Sequence, residues 1–357
     1  MSLQDVRDQD VAVRFLSRIL EEDRIPNAML FWGPAGVGKS FSALEFVKSL
    51  MGRDCDPALT AQKIDHGNHP DLRIVAPLEK SRMIKLQQIE EVAEIAYLRP
   101  YEAQWRVVIV QDADRMNVTA QNHFLKTLEE PPGKTLFILL SAFPRLMLPT
   151  IRSRCLSVRF RRLMPQTVVE FLQRDRDLPT DIAEAVAALA QGQMSRAFDL
   201  VDTEKREIAL AVTSRLAEGE DPVSLAEEFT KSLNDQRKQI EAAVAAEFDA
   251  GVPDDAGRED IEQLKEQQLA LVQALFKRDV LDYLYLLETW YRDEMVYAAT
   301  GQAECVLNRD QVDRLESRSS KDPGKKIAAL EKAREYLDRF INEERVFRDL
   351  FFTLAAP

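Results

Sequence analysis

Residues 33–40 read Gly-Pro-Ala-Gly-Val-Gly-Lys-Ser, the spacing G-x-x-x-x-G-K-S. In such a loop the glycines let successive backbone N–H groups turn toward phosphate oxygens, so Gly33, Pro34, Ala35, Gly36, Val37 and Gly38 make a cradle for a di- or triphosphate. Lys39 brings positive charge to the β- and γ-phosphates, and Ser40 offers a hydroxyl to magnesium. The chemistry implied is the holding of ATP or ADP with magnesium. A mere tight turn is the plainer alternative, but it does not account for a loop set between an apolar run and a helical one.

Hydrolysis asks for a second set of parts. An acidic residue at the end of another strand must hold magnesium, and a neighbouring carboxylate usually orients the attacking water. The candidate is Val-Val-Ile-Val-Gln-Asp-Ala-Asp-Arg-Met, residues 107–116. A hydrolytic site of this type ordinarily shows Asp-Glu at the strand end, and Gln111 breaks that pair. A glutamine offers a metal a carbonyl dipole and no charge. Asp112 is left as the partial substitute and joins the nucleotide-site residues. The expectation is asymmetric: nucleotide binding, without efficient turnover by this chain on its own.

These residues need elements to position them. Ala-Met-Leu-Phe-Trp, residues 28–32, is a short apolar run ending at Gly33, and the residues after Lys39 recur at helical spacing. Further strand-like runs fall at 71–77, 105–113, 134–142 and 156–160, separated by helical stretches around 84–97 and 117–130. Near-continuous apolar strands alternating with helices predict an α/β domain, residues 1–162, with a parallel sheet covered on both faces. From Pro165 onward only helical periodicity remains. It predicts a small helical domain over 163–203 and an all-α domain over 204–357, the latter interrupted by an exposed polar loop at 249–260.

Composition limits the function classes. The 357 residues carry 48 Lys and Arg against 60 Asp and Glu, a net charge of −12. Residues 1–203 hold 26 basic and 27 acidic side chains, residues 204–357 hold 22 and 33, so the acidity belongs to the second part. That part is ill suited to lie along nucleic acid, whereas the near-neutral first part can still carry a local basic patch. No apolar run approaches the ~20 residues of a membrane-spanning helix, and a cytoplasmic protein is expected, with no membrane partner. Cys55, Cys155 and Cys305 form no C-x-x-C pair, and Cys55 with His66 and His69 falls short of the four ligands that close a structural zinc site, so no zinc is expected. Cys155 reads as a small buried apolar residue.

Four segments taken together carry a resemblance: IPNAMLFWGPAGVGKS (25–40), NHPDLRIVAP (68–77), AQNHFLKTLEEPP (120–132) and PTIRSRC (149–155). In this order they resemble the clamp-loader branch of the AAA+ ATPases, and within it the delta-prime family. The likeness is strong over residues 10–200 and fainter through Trp-Tyr-Arg-Asp (290–293) and the C-terminal helices. The phosphate loop is shared by many enzymes, whereas LKTLEEPP followed at this distance by Ser-Arg-Cys is close to diagnostic.

The resemblance implies a P-loop core, a helical lid (163–203) and a helical collar (204–357) that joins subunits. It implies assembly with gamma/tau and delta subunits, action on a sliding clamp, and primed DNA in the assembled complex. It assigns Arg154 as an arginine finger offered to ATP on a neighbouring subunit, a role that suits a fork-shaped, permanently charged guanidinium. Three departures stand out. The four-cysteine zinc module that often follows the phosphate-loop helix is reduced to Cys55. The lid's Gly-x-x-Arg sensor position falls on Ser195, one residue before Arg196. Gln111 is the third. Gln111 and Ser195 favour a subunit of weak or absent ATPase activity over the alternative, a motor subunit of the gamma/tau type.

Overall fold

The computed structural model describes residues 3–77, 83–249, 258–317, 322–339 and 341–356. Its apolar runs become strands β1 (Ala28–Trp32), β2 (Leu72–Val75), β3 (Arg106–Val110), β4 (Thr135–Ser141) and β5 (Leu156–Arg159). They pair in parallel in the order β2-β3-β4-β1-β5. Every residue of β3 and β4 is buried, which is why neither sequence alternates with polar residues.

The period of two along each strand sorts side chains between the two faces. Met29, Phe31, Val107, Ile109, Leu136 and Ile138 enter one apolar layer, and Ala28, Leu30, Val108, Val110, Phe137 and Leu139 enter the other. Helices α1 (Asp10–Glu21), α2 (Lys39–Met51) and α3 (Pro57–Asp65) cover the first layer with Leu16, Phe46, Val47 and Ile64. Helices α4 (Leu86–Tyr97), α5 (Val118–Glu129) and α6 (Pro149–Arg154) cover the second with Ile89, Val92, Phe124, Leu128 and Ile151. Asn117 starts α5 by accepting the Ala120 N–H at 2.7 Å, satisfying one of the helix's orphan donors.

The turn that feeds β3 is fixed by a buried charge pair. Asp71, fully buried, accepts the N–H groups of Tyr101, Glu102 and Ala103 at 2.6, 2.7 and 2.9 Å and the Arg106 guanidinium at 3.2 Å. Arg106 in turn donates to the carbonyls of Leu98 and Arg99 at 3.1 and 2.9 Å. Each buried charge is therefore both paired and hydrogen-bonded, the condition under which burial is tolerated.

Beyond the sheet the chain is helical, as its periodicity predicts. The helices are α7 (Pro165–Arg176), α8 (Thr180–Ala190), α9 (Met194–Asp202), α10 (Lys205–Ala217), α11 (Pro222–Asp249), α12 (Arg258–Thr300), α13 (Val312–Ser317), α14 (Pro323–Asp338) and α15 (Glu343–Ala355). Phe229 of α11 anchors their core, with ring centroids 5.1 Å from Tyr283, 4.9 Å from Phe347 and 5.4 Å from Phe351. The loop expected at 249–260 lies mostly outside the described residues; its last residues, 258–260, begin α12.

Two compact units result. One comprises Met1–Thr167 with Gly192–Ser195, the other Val168–Gln191 with Arg196–Pro357. The segment 163–203 thus falls largely with the helices that follow it, and its residues 163–167 and 192–195 go with the sheet. Among the described residues no helix is long and apolar enough to cross a membrane.

Candidate nucleotide site

Because all five strands run the same way, the chain leaves β1, β3 and β4 at one edge of the sheet, where the order of connections changes direction and ligands of α/β sheets usually bind. The phosphate loop begins there. Gly33 donates its N–H to the Ser141 carbonyl at 3.2 Å, tying the loop to the end of β4. Its φ of +151° and its contact with the Phe160 carbonyl leave no room for a Cβ, so glycine is required. Gly36, with φ +67°, is packed against Ser195, and its carbonyl accepts the Met194 N–H at 2.8 Å.

Lys39, 9% exposed, opens α2. Its ammonium donates to the loop's own carbonyls, Gly33 O at 2.8 Å and Pro34 O at 2.6 Å. Burial pushes its pKa below the usual lysine value, against the opposing field of Asp112 and Asp114. Ser40 is exposed on the first turn of the same helix. Loop amides, an ammonium, a hydroxyl and a helix N-terminus fit a phosphate group in kind.

The residues that would hold a metal fit less well. Gln111 is neutral. Asp112 sits in the left-handed region at φ 45°, and its side chain, 55% exposed, faces Arg115 at 3.7 Å. Asp114, which the sequence did not single out, accepts the Ser141 hydroxyl at 2.5 Å and the Ala142 N–H at 3.0 Å. Its carboxylate braces the turn after β3 against the end of β4. The D-x-D spacing at a strand end was the available signal, but only the tertiary pairing shows which carboxylate is engaged.

The lid position follows the same pattern. Ser195, on which the resemblance places the sensor position, packs against Gly36 of the phosphate loop and offers no cationic side chain there. Arg196, one residue on, stacks its guanidinium over the Tyr285 ring at 3.9 Å within the helical unit. The arginine nearest that position is therefore committed to α12.

Arg154 ends α6. Its guanidinium pairs with Glu129, the last residue of α5, at 2.6 Å and also donates to the Thr150 carbonyl at 3.1 Å. The two most specific motifs of the sequence thus meet: Glu129 belongs to LKTLEEPP and Arg154 to Ser-Arg-Cys. The neighbouring Cys155 is buried, and burial pushes its thiol up to about 12, which keeps it unreactive.

The residues weighed for zinc have separate attachments. Cys55 donates to the Glu102 carbonyl at 3.3 Å, His66 Nδ1 lies 2.7 Å from the Gln62 carbonyl, and His69 Nδ1 accepts the Asp71 N–H at 3.2 Å. Among the described residues no group of three or more His, Cys, Asp or Glu is placed to hold a metal ion.

A phosphate loop after the first strand of a five-stranded parallel sheet, followed by helical elements, is a P-loop type of α/β fold. Residues 8–164 match the family described as "DNA polymerase III, delta subunit". The DNA polymerase III subunit delta' of Bacillus subtilis is 31% identical over 204 residues, 56% of this chain and 60% of that protein. The subunit delta' of Pseudomonas aeruginosa is 32% identical over 169 residues, 46% and 51% of the two chains. The B. subtilis DNA polymerase III subunit tau is 27% identical over 210 residues, covering 56% of this chain and 37% of tau. Through this region the chain is similar to the DNA polymerase III delta-prime subunits. It spans about half to three fifths of the length of those delta-prime relatives.

Proposed function

We propose that this chain is a delta-prime-type subunit of a DNA polymerase III clamp loader, working beside gamma/tau and delta subunits to place a sliding clamp on primed DNA. Its contribution to chemistry is Arg154, presented to the γ-phosphate of ATP held by a neighbouring subunit. There the guanidinium stabilises charge on the transferring phosphoryl group. Any ATP or ADP bound by this chain's own loop, Gly33–Ser40, serves structure more than turnover.

One observation carries the reading: the surface cation Arg154 is held by a single carboxylate on a helix end, while Asp114, the carboxylate that follows β3, is tied to Ser141, and the residue directly after β3 is the neutral Gln111. Exchanging Glu129 for a phosphate oxygen trades one charge-assisted pair for another, so Arg154 can be released at little cost. The test is a reconstituted loader with clamp and primed DNA, comparing Arg154→Ala with Lys39→Ala. The reading expects ATP hydrolysis by the assembly to fall with the first and to be nearly unaffected by the second.

The intact Gly33–Ser40 loop with Lys39 favours a second reading, a motor subunit of the gamma/tau type. Substantial ATP hydrolysis by the purified chain, abolished by Lys39→Ala, would establish it in place of the first.

A further inference from the structure

The Trp-Tyr-Arg-Asp run, residues 290–293, has no part in the phosphate site, yet it carries a dense set of hydrogen bonds. Asp293 of α12 is fully buried, and its carboxylate accepts the N–H of Leu307 at 2.9 Å, the N–H of Asn308 at 2.8 Å, the Asn308 side-chain amide at 2.9 Å and the Arg292 guanidinium at 2.7 Å. Arg292 also donates to the Cys305 carbonyl at 3.2 Å. Trp290 donates to Glu294 at 2.9 Å and lies under the Arg314 guanidinium, 4.7 Å from its ring centroid. One short run of α12 therefore fixes the chain from Cys305 to Arg314.

The segment so held is gripped from a second side. Arg206 of α10, 4% exposed, donates to Asn308 at 3.3 Å and to Asp310 at 2.6 Å. Helix α8, whose Ala183, Ala185, Val186, Ala187 and Ala190 are all buried, packs on the 3-10 turn Arg309–Gln311. The far end of α8 is tied to α12 directly: Tyr285 donates its hydroxyl to the Leu189 carbonyl at 3.1 Å, and Arg196 covers its ring. Where α9 runs into α10, Lys205 bridges Asp199 at 3.5 Å to Asp279 and Asp282 of α12 at 2.9 and 3.3 Å.

We propose that residues 301–311 are a brace, with Asp293 as its central positioning residue, that makes α8 and the rest of 168–191 move as one body with α10 and α12. The lid is then not a separately hinged flap. The chain passes between the compact units three times, after residues 167, 191 and 195. Charge-assisted hydrogen bonds are short and strong, and a buried network of them rigidifies the segments that it joins, which is what a rigid coupling needs. The inference does not depend on the role of Arg154.

Hydrogen exchange of the full chain followed by mass spectrometry tests it. Asp293→Asn keeps the side-chain shape but turns an amide toward donors that now meet a carboxylate. The brace predicts that exchange in 180–190 rises at least tenfold along with that in 303–311, while 106–110 and 135–141 keep their wild-type rates. A rise confined to 303–311 would overturn it, since α8 would then be held without the brace. An equal rise in 106–110 and 135–141 would overturn it too, by showing general loosening. Should Asp293→Asn fail to fold, Arg206→Met removes the second grip, and the same contrast in 180–190 decides the matter.

Discussion

On the proposed reading, replacing Arg154 with alanine should leave the free chain almost as stable as before and still disable the clamp loader that it would serve. The first half follows from exposure. The Arg154 side chain is 37% exposed and that of Glu129 50%, so their ion pair contributes about 0–1 kcal/mol. For units of this size a loss of one kcal/mol lowers the melting temperature by roughly 2–4 °C. The second half follows from mechanism, because an arginine finger is worth on the order of a thousandfold or more in turnover at the site it completes. Only the neighbour's site facing Arg154 would be affected, so steady-state hydrolysis should drop by that site's share and single-turnover hydrolysis there by at least about a hundredfold. Thermal melts of the free chain and ATPase assays of the loader with clamp and primed DNA measure the two halves. Arg154→Lys keeps the charge but not the fork, and should rescue only in part. Wild-type hydrolysis by an Arg154→Ala loader whose subunits assemble normally would refute the reasoning.

Three other outcomes are expected. A ligand at a thousand times its Kd stabilises a protein by about 4 kcal/mol, and at its Kd by about 0.4 kcal/mol, so 1 mM Mg-ATP should raise the melting temperature of this chain by no more than roughly 2 °C; a shift of about 10 °C would point to a motor subunit. Gln111→Asp should make nucleotide binding measurably magnesium-dependent, tightening it about tenfold by calorimetry with and without chelator, and no change would mean that residue 111 does not face the metal position. Burial works against ionisation of Asp71, but the N–H groups of Ala103, Tyr101 and Glu102 and the Arg106 charge outweigh it and hold the carboxyl below its ordinary range. Its folded pKa lies below the unfolded value, so this stabilisation is present above about pH 4 and is lost as pH falls through the folded pKa; Asp71→Asn should cost about 3 kcal/mol in neutral urea denaturation and flatten the acid side of the stability curve.

Much of this fold was legible because its signals are local. The five apolar runs all became strands, and Gly33 and Lys39 mark the end of β1 and the start of α2, since hydrophobic period and glycine placement act within a few residues. What escaped the sequence are pairings made across the fold. Glu129 with Arg154, Asp114 with Ser141 and Met194 with Gly36 each join different elements, and nothing in either partner's neighbourhood names the other. Ser195 could be aligned to the sensor position, but the destination of Arg196 could not, because Tyr285 looks like one more apolar residue in the stripe of α12. The same holds for Asp293: a lone carboxylate in an amphipathic helix reads as solvated until the Leu307–Asn308 backbone is seen to turn back onto it.

On the proposed reading, keeping G-x-x-x-x-G-K-S without efficient turnover requires that the loop be stable by itself. A lysine as buried as Lys39 would be costly with its ammonium unpaired, and the carbonyls of Gly33 and Pro34 remove that cost. Phosphate oxygens can still displace them, because their negative charge attracts the ammonium more strongly than a neutral carbonyl dipole does. A triphosphate, however, brings more negative charge than one lysine and a helix N-terminus neutralise; the rest would have to come from a magnesium ion held by carboxylates and from a further cationic side chain, and the residues that could serve have other work. Asp114 holds β3 to β4, and Arg196 holds the lid to α12. A single substitution such as Gln111→Asp therefore adds one carboxylate for magnesium without releasing either residue, and turnover should stay low even where magnesium-dependent binding improves.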